Sequence, residues 1–198
     1  MTSTAILATL RVARWRPLAI AMAAGGLYAL LGAKGSASDR LMVAAAGVAA
    51  ISAFIIDDPA AVTVAASPPS LLARRAGRVA LVAVPVVAWW AVVVTIAGAR
   101  FGPMPIRAIS LALVGLAAVA LAVGALAASS GLAERDGLAG ATASATLYGL
   151  TLLPLPAWSP LPRSPGAPGT ASRWLIAAGV AFAIFVWSSR DPAGGPSS

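Results

Sequence analysis

Residues 108–129 read AISLALVGLAAVALAVGALAAS and contain no charged side chain. An α-helix rises about 1.5 Å per residue, so about 20 apolar residues cross the roughly 30 Å hydrocarbon core of a bilayer. The stretch is long enough to do so, and its small and branched apolar residues leave no polar face for water. It therefore predicts a transmembrane helix.

The composition extends this prediction to the whole chain. The protein has 198 residues, of which 60% are hydrophobic and 10% charged, and its mean hydropathy is +0.90. A soluble domain carries about 25% charged residues, and a disordered chain needs low hydrophobicity. The composition excludes both classes and predicts an all-α polytopic membrane protein.

Six apolar stretches are long enough to be spans. We predict them at about 17–33, 40–56, 79–98, 108–129, 138–153 and 171–189. Pro17 suits a first helical turn, Asp39 is placed to cap span two, and Pro85 is expected to kink span three. Residues 1–16 form a basic segment that either lies at the membrane interface or is a frayed tail, and the polar tail 190–198 is predicted to be disordered.

The distribution of Lys and Arg predicts the orientation of the chain in the membrane, because cytoplasmic loops are enriched in these residues. An even number of spans puts both termini on one side. If that side is cytoplasmic, it carries eight cations (Arg11, Arg14, Arg16, Arg74, Arg75, Arg78, Arg135, Arg190) against six outside (Lys34, Arg40, Arg100, Arg107, Arg163, Arg173). We predict both termini inside, in a bacterial plasma membrane, since the Ala, Arg, Gly, Pro and Val bias suggests a GC-rich genome.

The positions of the residues that give the net charge of +8 favour binding to lipid rather than to nucleic acid. The arginines flank apolar stretches, where they can meet anionic headgroups. They are not interleaved with aromatic residues, as they are in many nucleic-acid-binding surfaces. We therefore expect membrane lipids as partners and no nucleic acid.

Several kinds of chemistry are absent from the sequence. There is no Cys, His, Asn or Gln, so disulfides, thiolate sites and histidine bases are excluded. No ionisable residue lies in the middle of a predicted span, which argues against a proton- or sodium-coupled carrier. The stretch 32–36 lacks the spacing of a phosphate-binding loop. We predict no catalytic, cofactor or metal residues and no enzyme activity in this chain.

The loop 57–78 is the most informative polar segment. An acidic cap followed by Pro starts a short helix over 60–66, and the sequence Ser-Pro-Pro at 67–69 stops it. Basic residues then lead into span three. Such a helix can dock into a groove of a peripheral partner, or it is a capped turn held to headgroups by arginine. The residues of the docking hypothesis are Asp57, Asp58, Pro59, Arg74, Arg75 and Arg78.

The outer loop 154–169 is rich in proline. The stretch 150–163 is apolar yet broken repeatedly by proline, which an exposed loop rarely is. It is predicted either to dip back into the interface, with Pro154, Pro156 and Trp158 at that level, or to be a polyproline-like linker.

Span five is the most polar of the six. Its hydroxyls suggest a polar path formed by Thr142, Thr146 and Tyr148, although such hydroxyls more often bond within the helix or to a neighbour. Small residues four apart, Gly140 with Ser144 and Ala145 with Gly149, let helices approach closely, although an Ala-rich helix also shows such pairs by chance.

This layout resembles the membrane subunits of ABC-2-type (type V) ABC transporters. The matching stretches are 2–15, 57–78 and 150–163, and the strings Asp-Asp-Pro-Ala-Ala at 57–61 and Ser-Pro-Pro-Ser-Leu-Leu-Ala-Arg-Arg at 67–75 also look like actinobacterial membrane proteins that accompany ABC ATPases. The resemblance implies six spans, a coupling helix in the loop between spans two and three, and a re-entrant outer segment. It also implies a permease-type subunit, pairing with itself or a sister chain and driven by a separate cytoplasmic ATPase.

Two other functions fit the sequence. The chain could be a non-transporting accessory or scaffold subunit, which its small size and generic small-residue faces suit. It could also be a membrane enzyme acting on lipid through carboxylates at one interface, namely Asp57, Asp58, Glu134 and Asp136.

Overall fold

The described part of the chain is entirely helical. The computed structural model describes residues 15–55, 71–130, 136–154, 156, 159, 161–162, 167 and 169–190. Within these ranges it contains six α-helices, one 3-10 turn and no strand. They are α1 (Trp15–Leu31), α2 (Ala37–Ser52), the 3-10 turn Ala53–Ile55, α3 (Leu71–Phe101), α4 (Ile106–Ser130), α5 (Asp136–Thr151) and α6 (Thr170–Ser188).

Three of these helices are long and apolar enough to cross a membrane. They are α3, α4 and α6, with 31, 25 and 19 residues respectively. Helix α1 is apolar but has 17 residues, and α2 and α5 have 16 each. By length and composition, this set of helices indicates a protein integrated in a membrane.

Helix α4 lies at the centre of the bundle. It packs against α2, α5 and α6, while α1 packs against α2. Trp174 of α6 is fully buried beside Gly115 of α4. A Cβ atom at Gly115 would lie 2.5 Å from Trp174 Cε3. The close approach of α4 and α6 therefore requires glycine at this position.

Small residues also bring α2, α4 and α5 together. Ala45 and Ala49 have no exposed surface, and neither has Ala53 just beyond α2. A Cβ atom at Gly140 of α5 would collide with the backbone oxygen of Ala120 in α4. Ser144, one turn further along α5, is also fully buried. Of the two small-residue faces of α5, this one packs inward.

Helix α3 is longer than the span predicted for it. At about 1.5 Å per residue its 31 residues extend roughly 46 Å, beyond a hydrocarbon core of about 30 Å. The helix begins by Leu71, so residues 71–78 are helical and not part of a loop. The sequence explains this, because Leu, Ala and Arg are strong helix formers and no proline lies between Pro69 and Pro85. The helix ends at Phe101, where Gly102 adopts a left-handed φ of 83°.

The start of α2 corrects one detail of the sequence prediction. The N-cap is Ser36 and not Asp39: Ser36 Oγ accepts a hydrogen bond from the Asp39 amide at 3.1 Å. The Asp39 carboxylate accepts in return from the Ser36 amide at 3.2 Å. This reciprocal pair is a capping box, in which the acidic residue stands three positions after the cap.

Candidate functional site

A buried arginine joins the start of α3 to the end of α6. Arg75 is 9% exposed, and its Nη1 donates to the carbonyl oxygen of Ser188 and to Ser189 Oγ, both at 3.2 Å. The last carbonyls of a helix have no intrahelical partner and carry partial negative charge. A guanidinium is therefore a favourable partner for them, and the contact places both helix ends at one end of the bundle.

The neighbouring arginines are more accessible. Arg74 and Arg78 are both half-buried, and Arg74 Nε is enclosed without a hydrogen-bond partner in the described part of the chain. Of the predicted docking residues, Asp57, Asp58 and Pro59 lie outside the described residues. The structure thus assigns Arg75 to a contact with the end of α6, whereas Arg74 and Arg78 keep part of their surface accessible.

An apolar cavity of about 280 Å³ separates the middle of α3 from α4. The two helices run antiparallel, since Val79 packs against the cluster that contains Ala122 of α4 at one end of the cavity, and Trp90 Nε1 donates to Ser110 Oγ at 2.9 Å beyond the other end. The cavity is lined by Ser52, Val79, Val82, Ala83, Val86, Val87, Leu113, Val114, Ala117, Ala118 and Leu121.

Pro85 lies in the α3 segment that borders this cavity. Proline has no N–H to donate to the carbonyl four residues earlier, and its ring clashes with that carbonyl, so it bends a helix. A bend here would give a physical reason for the gap between two helices that contact each other on either side of it. The sequence predicted a kink at Pro85 but not the cavity.

The hydroxyls of α5 are divided between two environments. Thr142 and Thr146 are exposed, Tyr148 is half-buried against the main apolar cluster, and Ser144 is fully buried. Ser144 Oγ has no hydrogen-bond partner in the described structure. The three residues of the predicted polar path therefore do not line a common interior surface within this chain, and a path would need a second chain facing Thr142 and Thr146.

At the opposite end of the bundle, two arginines contact the same aromatic ring. The Cζ atoms of Arg40 and Arg100 lie 4.8 and 5.5 Å from the centre of the Phe101 ring. Arg40 is buried and its Nε has no hydrogen-bond partner among the described residues. Cation–π contacts stabilise such cations by about 0.5–2 kcal/mol. Sequence reasoning missed this cluster, because only the adjacency of Arg100 and Phe101 is visible in the sequence.

The segment 150–163, predicted to lie on the outer side, is described in part. Pro154 and Pro156 are exposed, and Trp158 lies outside the described residues. Ser159 is buried, and Arg173 Nη1 donates to the Leu161 carbonyl at 3.3 Å. The segment is therefore held against the first turn of α6.

The described residues contain no group of three or more potential metal ligands. The carboxylates of the lipid-enzyme hypothesis lie outside the described residues; they are Asp57, Asp58, Glu134 and the side chain of Asp136. Comparison of the chain with known protein families finds no match, and neither do comparisons with curated proteins and with solved structures.

Proposed function

We propose that the protein is the membrane subunit of an ABC-type transporter, with six spans, both termini in the cytoplasm, and loop 57–78 coupled to a separate ATPase. The observation that carries the proposal is the architecture of α3. This single helix runs from the basic residues Arg74, Arg75 and Arg78 to the far end of the bundle. It packs on α1 and α2 but stands away from α4 along the cavity.

Such a helix is suited to transmit movement. A push on the predicted short helix 59–66 reaches α3 directly through its first turns. Pro85 lies midway along α3, and if the helix bends there, its two halves can move by different amounts. The cavity gives the first half room to approach α4, so closure of the ATPase subunits would change the spacing between α3 and α4.

The path for substrate would lie between two membrane subunits. Thr142 and Thr146 are exposed on α5, so they meet a path only if a second copy or a sister chain faces them. The proposal therefore requires an oligomer in the membrane, and it names no cofactor for this chain.

The proposal is tested in two steps. The full-length protein is first purified in mild detergent to identify a copurifying ATPase. Residues 59–66 are then replaced by a Gly/Ser linker of equal length, with residues 191–198 replaced in the same way as the matched control. We expect the first replacement to abolish transport and stimulation of the ATPase while membrane insertion is retained. Transport that survives it would refute the proposed coupling.

A second function, an accessory or scaffold subunit, is favoured by a different observation. The interface among α2, α4 and α5 is closed by small residues such as Ala49 and Gly140, and the α5 threonines face outward. Reconstitution of the complex without this chain separates the two functions. Full substrate movement by the remaining subunits would favour the scaffold, and its loss would favour the permease.

A further inference from the structure

We propose that the cavity between α3 and α4 binds one acyl chain of an anionic phospholipid, with its phosphate near Arg78. This inference does not rest on the transport proposal; in that proposal the acyl chain would leave the cavity when α3 approaches α4.

The first argument is the chemistry of the lining. Among its described residues Ser52 has the one polar side chain, and its Oγ already donates to the Val48 carbonyl at 2.8 Å. A buried water needs two to four polar partners, and a polar ligand needs convergent polar groups. The cavity offers neither. Its contents must therefore be apolar.

The second argument is size. An apolar cavity of about 150 Å³ stays dry and takes up a ligand such as benzene, and this one measures about 280 Å³. Its α3 wall runs from Val79 to Val87, which corresponds to about 12 Å of helix. A hydrocarbon chain can extend along a wall of this length, whereas a compact ring would contact only part of it.

The third argument is the position of the opening. Val87 and Val114 line the cavity and yet are 65% and 55% exposed, so they mark its mouth on the surface of the bundle. Both residues lie within the long apolar helices α3 and α4. In a membrane this surface meets lipid tails. The molecule that can enter the cavity through this opening is therefore a lipid, by its acyl chain.

The fourth argument is charge. Arg78 immediately precedes the first lining residue of α3, Val79, and is half-buried. Arg75 lies about one turn further back, with its Nη1 bonded to α6. A lipid whose phosphate lies near Arg78 would run its tail along the α3 wall from Val79 toward Val87, and the opening beside Val87 lets the chain enter sideways from the bilayer. Positive charge at a membrane surface favours anionic headgroups.

The test uses the full-length protein in phosphatidylcholine vesicles containing a trace of phosphatidylglycerol with a photoactivatable diazirine on one acyl chain. After illumination, modified residues are mapped by mass spectrometry. We expect adducts concentrated at 79–87 and 113–121, and weaker labelling by phosphatidylcholine carrying the same diazirine chain. This measurement needs no variant. Adducts spread evenly over the exposed residues of all helices would overturn the proposal.

Variants then test the cavity and the headgroup separately. Filling the cavity with Ala83→Leu and Ala117→Leu should reduce labelling at these sites by about tenfold, equivalent to about 1.4 kcal/mol. The same change at Ala183, which is exposed on α6, should not. Arg78→Gln should remove the preference for phosphatidylglycerol, whereas Arg16→Gln at the exposed start of α1 should retain it.

Two other occupants would give distinct results. If a second copy of the chain occupied the cavity, the lining residues would not be labelled by lipid. Copies carrying Val87→Cys would then form a disulfide with each other, and this thiol is unique because the chain has no cysteine. Residues 56–70 in the cavity would also block lipid labelling, and cross-links would join them to the lining. Either result would overturn the lipid assignment.

Discussion

The guanidinium of Arg75 donates to the carbonyl oxygen of Ser188 at 3.2 Å. This hydrogen bond connects the second turn of α3 to the last turn of α6. The contact joins residues 113 positions apart in the sequence. Nearby, Leu72 and Val79 of α3 pack against the apolar cluster that contains Ala122 of α4 and Phe185 of α6. Together these contacts hold the first turns of α3 against α4 and α6.

Replacing Arg75 with Met should lower stability while preserving most of the side-chain volume. The Ser188 carbonyl and Ser189 hydroxyl would lose a charged donor, and hydrogen bonds to charged groups contribute about 1.5–3 kcal/mol. We expect a loss in this range in the free energy of unfolding, measured by circular dichroism in mixed micelles. Arg16→Met, at an exposed position of α1, is the matched control. Equal stability of the two variants would show that the Arg75 contact is not stabilising.

Gly140→Ala should be strongly destabilising, because the added Cβ would collide with the Ala120 backbone oxygen and lie 2.9 Å from Ala53 Cβ. Overpacking of this kind costs about 1–3 kcal/mol. The matched control is Gly149→Ala on the same helix, where a Cβ would meet nothing within 4 Å. Helix propensity favours Ala over Gly by up to about 1 kcal/mol. We therefore expect opposite signs in thermal unfolding, and equal shifts for the two variants would contradict the packing of α5 on α4.

The hydrogen bond from Trp90 to Ser110 should be measurable by a double-mutant cycle of Trp90→Phe and Ser110→Ala. Hydrogen bonds between helices in a membrane contribute about 0.6 kcal/mol on average, and we expect a coupling energy of this size. Pairing Ser110→Ala with Trp187→Phe, at an exposed residue of α6, should give no coupling. A zero value for the first cycle would place Trp90 away from Ser110.

The sequence was sufficient for the helical class and for most helix positions, because long apolar runs separated by proline and charged turns have few alternative structures. The sequence was not sufficient to predict which side chains are buried or paired, because contacts between helices determine this. Gly140–Ser144 and Ala145–Gly149 carry the same pattern, yet the first face is buried and Gly149 is exposed. The sequence could not distinguish Arg75 from Arg74 and Arg78, because the partners of Arg75 lie at the end of α6 and the residues around Arg75 do not indicate them.

The buried hydroxyl of Ser144 gives a final prediction. Its Oγ has no surface exposed and no hydrogen-bond partner in the described structure, and an unsatisfied buried polar group costs about 1–3 kcal/mol. Ser144→Ala removes this cost without creating a large cavity, so we expect unchanged or increased stability. Ser52→Ala is the comparison, because Ser52 Oγ donates to the Val48 carbonyl and its removal should not stabilise the protein. If Ser144→Ala is instead clearly destabilising in mixed-micelle unfolding, the hydroxyl has a partner, and the polar face of α5 contributes to an interior contact after all.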